Sequence, residues 1–105
     1  MKNKKSMKEI IEIIKNKDSK LEDIKSIVIK IKEKIHADYD IIFHESKNVN
    51  IYHNLLKEIG YIEGIVNFII EGVFDNENMW EEIVVHLDNI SQIYSEYDLE
   101  FKMDI

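Results

Sequence analysis

Residues 50–72 read "NIYHNLLKEIGYIEGIVNFIIEG", and the reading of this stretch decides the fold. Ile51, Leu55, Ile59, Ile62, Val66 and Ile69, with Val73 just beyond, recur at steps of three and four. An α-helix turns every 3.6 residues, so this spacing predicts a helix over about 50–71 with Gly72 as its C′ residue. Wound at 100° per residue, the apolar side chains cover an arc of about 200°, wider than one neighbour fills, which marks a central helix. The remaining arc holds His53, Lys57, Gly60, Glu63, Gly64, Asn67 and Glu71 as one polar stripe.

Gly60 and Gly64 are two of only three glycines in the chain. Each costs about 1 kcal/mol relative to alanine in a helix interior. Two expectations follow for this strip of bare backbone. The glycines permit a bend or a close contact with the N-terminal helices or the sheet, or another chain lies flat against them. Glu58 is a second anomaly, because it falls inside the apolar arc among Leu55, Ile59, Ile62 and Ile65. A carboxylate there must reach solvent, find a partner or titrate upward; exposure near the helix start is the expected answer.

Upstream, "SMKE" and "SKLE" are capping boxes, with Ser6 and Ser19 as N-caps and Glu9 and Glu22 three residues later. They open a helix over about 7–17, with Met7, Ile10, Ile11 and Ile14 on one face, and another over about 20–36. The second carries Leu21, Ile24, Ile27, Val28, Ile31 and Ile35. Downstream, a fourth helix starts near residue 78, with Asn78 as cap, Glu81 at N3 and Glu77 and Glu82 at the positive helix end. Its apolar face is Trp80, Ile83, Val84, Leu87, Ile90 and Tyr94. The tail "YDLEFKMDI" alternates strictly and reads as a strand, Tyr97, Leu99, Phe101, Met103 and Ile105 sharing one side. A lone strand is not viable; "YDIIFHE" at 39–45 reads either as a short strand, the obvious partner, or as a last piece of helix. The fold expected is therefore mainly α: one domain over 1–105, a small four-helix bundle with a two-stranded antiparallel sheet from about 39–45 and 97–104.

The composition bounds the function. A chain of 105 residues forms one domain. It lacks cysteine, which excludes disulfides and thiolate sites and suits a reducing cytoplasm. No apolar run approaches a membrane span, so no membrane partner is expected. The chain has no Arg, Pro or Thr and is rich in Ile, Lys, Asn and Glu, the bias of an AT-rich genome such as a low-GC bacterium or its phages. Charge is divided. Residues 1–35 carry eleven Lys and six acids (+5), and residues 36–105 three Lys and fifteen acids (−12), which sum to −7. Such an acidic segment repels nucleic acid and favours basic partners.

Chemistry-bearing patterns are sparse. His36, His44, His53 and His86 invite a metal, and Glu82 and His86 share a helix face, but no HExxH or paired ExxH pattern occurs. A half-buried His86 bonded to Glu82 is the expected arrangement. Asp98, Glu100 and Lys102 in "DLEFK" have the order used by metal-dependent nucleases, while an edge strand with outward charges explains them better. The N-terminal lysines Lys2, Lys4, Lys5, Lys8, Lys25, Lys30, Lys32 and Lys34 lack the arginines that make bidentate contacts to guanine and phosphate, so nucleic acid is not the expected partner.

No motif connects the chain to a family. By size and class only, it is similar to bacteriocin immunity proteins and phage anti-defence proteins, anti-CRISPR proteins among them. The expected function is a non-enzymatic cytoplasmic binding protein, without metal or cofactor, that neutralises another macromolecule such as a basic nuclease. Its binding surface would be the glycine strip (Gly60, Glu63, Gly64, Asn67, Glu71) with the acids of the fourth helix (Glu81, Glu82, Asp88, Glu96). The alternatives are a homodimeric regulatory or scaffold protein and a metal-dependent hydrolase.

Overall fold

A computed structural model describes residues 4–16, 21–46, 49–72 and 76–104. In order, the elements are β1 (Lys4–Ser6), α1 (Met7–Lys15), α2 (Leu21–Ala37), α3 (Tyr39–Ser46), α4 (Val49–Ile70), α5 (Asn76–Glu96) and β2 (Lys102–Asp104). The chain is mainly α, with five helices among the described residues where four were expected. α4 is central, packing α2 on one flank and α5 on the other, with α3 also against it and α1 against α5.

The core is the one the periodicity outlined. Leu55, Ile59, Ile62 and Val66 of α4, Val28, Ile31 and Ile35 of α2, and Ile83, Leu87 and Ile90 of α5 are all buried. Burying a large aliphatic side chain contributes roughly 1.5–3 kcal/mol, more than the small helix-propensity deficit of β-branched isoleucine. This is why isoleucine-rich segments fold here as helices. Ser19, Val73 and Ile105, to which caps and core positions were assigned, lie outside the described residues.

The first capping box forms. The Ser6 hydroxyl accepts from the Glu9 N–H at 3.3 Å, and the Glu9 carboxylate accepts from the Ser6 N–H at 3.2 Å. The Ser6 N–H first, and then the Ser6 hydroxyl, which also donates to the Glu9 carboxylate at 3.2 Å, hold the Glu9 carboxyl below the ordinary carboxylate range. α4 ends at Gly72, whose φ of 76° is left-handed and whose N–H donates to the Ile69 carbonyl at 3.0 Å. α5 begins at Asn76, two residues before the start expected near residue 78.

Residues 39–45 are helical, which decides for the helix reading of this stretch and against its pairing with the tail as a strand. No glycine or proline occurs between Ile35 and Ser46 to end α2. Helical hydrogen bonding therefore runs on through the joint, Asp38 N–H to Lys34 O at 3.0 Å and Ile42 N–H to Asp38 O at 2.9 Å. Among the side chains described in α3, Ile42 alone reaches the core; Tyr39, Ile41 and Phe43 remain exposed. Asp38 marks the joint and is a buried carboxylate, 8% exposed. Tyr94 donates its hydroxyl to one Asp38 oxygen at 2.8 Å and Lys34 donates to the other at 3.0 Å. Burial, then the hydrogen bond to Asp38, pushes the Tyr94 hydroxyl far above its ordinary value, so it remains a donor.

The strand partner of the tail is β1. Lys4 faces Asp104, Lys5 faces Met103 and Ser6 faces Lys102 in an antiparallel pair. The strand is also shorter than the alternation implied, because α5 runs into a Schellman turn. Asp98 takes a left-handed φ of 55°, its N–H bonds to Ser95 O, and the Leu99 N–H bonds to Tyr94 O. Sidedness survives the shortening: Phe101 and Met103 are buried, and Tyr97 and Leu99 pack on the core.

An aspartate in the left-handed region is strained where glycine is not, so Asp98→Gly should raise stability by up to about 1 kcal/mol in urea denaturation. Tyr94→Phe removes one donor from a buried carboxylate and should cost about 1–3 kcal/mol. The folded state keeps the Tyr94 proton longer than the unfolded chain does. That contribution is complete below pH about 10 and fades as pH rises above it, so the wild type should lose stability more steeply there than Tyr94→Phe.

Candidate functional site

α5 turns one stripe outward. Glu81, Val85, Asp88, Gln92 and Glu96 follow at steps of four and three and are all exposed, Val85 to 53%. Gln92 steadies Asp88 with a 2.9 Å hydrogen bond to its carboxylate. Glu81 and Asp88 thus flank an exposed valine, Glu96 stands about three turns further along, and Lys8 and Lys15 of α1 border the same groove as Val85 and Asp88. The sequence reading named the acids and missed Val85, although its step of four from Glu81 was legible.

Glu82 is set apart from that stripe, on the flank of α5 that meets α4. His86 is half-buried there, and its Nδ1–H donates to Glu58 of α4, not to Glu82, whose nearest oxygen is 3.9 Å from Nε2. Asn89 donates to the same Glu58 oxygen at 3.4 Å. The Tyr61 ring stacks on the His86 imidazole with centroids 5.3 Å apart and planes at 18°. Glu58 is therefore not exposed by its place near the helix start, as expected, but held in the α4–α5 seam by two donors from α5. Periodicity along one helix cannot reveal a partner on another.

The glycine strip is open. Nothing lies within 4 Å of the position a Cβ would occupy at Gly60 or Gly64, which overturns the expectation of a close intramolecular contact. Asn67 and Glu71 are exposed beside it, whereas Glu63 is turned to α2 by an ion pair with Lys32 at 3.2 Å. Two aromatic side chains flank the strip on its α5 side, Tyr61 (52% exposed) and Phe68 (44%). Both fall outside the apolar arc when the helix is wound, a signal present in the sequence and not used. Through the Tyr61–His86 stack, the outward face of α4 adjoins that of α5.

The remaining candidates are dispersed. Asp98 sits in the Schellman turn before β2, and Glu100 pairs with Lys102 at 3.4 Å on the surface, so the "DLEFK" acids do not project from one strand. His36 bonds the Tyr52 hydroxyl, while His44 and His53 lie against Phe43 and Tyr52. Among the described residues no group of three metal-ligating side chains comes together. Two of the N-terminal lysines serve the fold, Lys32 with Glu63 and Lys34 with Asp38, tying the basic part of the chain to the acidic part. No helix among the described residues is long and apolar enough to cross a membrane. Compared with known proteins, the chain matches no family model, no curated protein and no solved structure.

Because a methyl group meets open space at either glycine, Gly60→Ala and Gly64→Ala should each stabilise the helix by roughly 0.5–1 kcal/mol. Thermal denaturation at low protein concentration checks this; a loss of stability would mean that a neighbour crowds the strip.

Proposed function

We propose that the chain is a non-enzymatic binding protein that neutralises a macromolecule with a basic surface, a nuclease being the type of target that fits. The observation that carries this reading is the α5 stripe, where Glu81 and Asp88 flank exposed Val85 and Glu96 continues the row of acids. An apolar centre within like charges is the composition of a docking patch: the charges steer encounter, and the apolar contact retains the partner. Glu82 adds its charge at the edge. With a net charge of −7, the whole molecule favours approach to cationic surfaces over nucleic acid. Bacteriocin immunity proteins and phage anti-defence proteins work in this general manner, and the likeness to them is one of size, class and charge.

The test is capture from a low-GC bacterial lysate, with mass spectrometry of the retained proteins, followed by association kinetics with the principal one. The wild type should retain a basic protein. Combined Glu81→Lys, Glu82→Lys and Asp88→Lys should slow association by at least about tenfold at low salt, with a smaller effect at high salt. An association rate indifferent to that triple reversal would remove the α5 stripe as the docking face.

A further inference from the structure

We propose that the outward face of α4 docks onto the same face of a second copy of this chain, antiparallel, about a two-fold axis at Gly64. The face consists of Lys57, Gly60, Tyr61, Gly64, Phe68 and Glu71. Gly64 is half-buried and the other five are exposed. Tyr61 and Phe68 place two aromatic rings, 52% and 44% exposed, beside backbone that no side chain covers.

A two-fold contact is self-complementary: whatever residue i meets on the partner, the partner's residue i is met by in return. Turning one α4 end over end about Gly64 sets each residue opposite the one equally distant on the other side. Lys57 then faces Glu71, and Gly60 faces Phe68. The Phe68 ring of one copy enters the hollow framed by Lys57, Gly60, Tyr61 and Gly64 of the other, a knob in a four-residue hole. The two glycines allow the helix axes to approach closely enough for the ring to seat. Cation and anion stand at opposite ends of the face, and neither Lys57 nor Glu71 has an ion-pair partner among the described residues. Antiparallel docking joins these charges twice, once at each end. Parallel docking would set Lys57 on Lys57 and Glu71 on Glu71, which like-charge repulsion disfavours.

Charge also selects α4 over α5 for self-contact. Along α5 itself the charges of the stripe are acids only, the nearby lysines Lys8 and Lys15 lying on α1, so pairing α5 with a reversed α5 would set Glu81 against Glu96. The α4 dimer leaves both acidic stripes free, and the inference is independent of the target proposed for them.

Sedimentation velocity from low micromolar to submillimolar concentration tests the pairing. The wild type should show a concentration-dependent dimer. Lys57→Glu and Glu71→Lys should each weaken it by about tenfold or more, because the symmetry repeats every change, whereas the combined variant should return close to wild-type affinity. Gly64→Leu should be monomeric with an undiminished helical circular-dichroism signal, which separates lost docking from lost folding. The α5 triple reversal should leave the dimer intact. A wild type that stays monomeric throughout, a double reversal no tighter than the single ones, or a Gly64→Leu dimer as tight as the wild type would each overturn the proposal.

Discussion

The width of the apolar arc on α4 is the constraint from which the rest of the molecule follows. Leu55, Ile59, Ile62 and Val66 cannot all be covered by a single neighbour, since two helices in contact bury only a narrow seam on each. α2 covers one side of the arc and α5 the other, each presenting its own row of isoleucine, leucine and valine. α1 then covers α5, and the strand pair β1–β2 extends that cover past the end of α5. What remains of α4 is a narrow outward arc, where the glycines, Tyr61 and Phe68 stand.

The polar groups inside this arrangement are matched across elements, not along them. Asp38 would be a costly buried charge alone; with Lys34 one turn before it and Tyr94 from α5, both of its oxygens are occupied. Glu58 is accommodated in the same way by His86 and Asn89. Each carboxylate joins α5 to another helix, and among the described residues no buried side-chain polar atom lacks a partner. Misplaced packing of α5 would strand both carboxylates at once. The two clusters thereby favour one register of α5 over the alternatives that isoleucine, interchangeable in shape from turn to turn, would otherwise tolerate.

The outer surface carries the two functional readings on different helices. On α5, Glu81 and Asp88 flank an exposed valine, the patch to which the proposed basic partner is assigned. On α4, opposite charges are spaced symmetrically about bare backbone, which suits the same helix reversed. Lys32 pairs with Glu63 across the α2–α4 contact, joining the basic part of the chain to the acidic part, while the Lys34–Asp38 pair is local to the α2–α3 joint.

The sequence by itself determined the helices of the core, their inward faces, the Ser6 capping box and the Gly72 terminus, because each depends on spacing within a few residues of one element. It also located the polar stripe of α4 and the acids of α5. Only the tertiary structure decided that residues 39–45 continue as helix, since an aspartate that should favour a turn is buried there and bonded by a tyrosine from α5. The same holds for the pairing of β2 with β1, whose three residues carry no strand pattern of their own. Glu58 reads as a misplaced charge until α5 supplies its histidine. Contacts between residues distant in the chain leave no period in it, and these were the points where local reading ended.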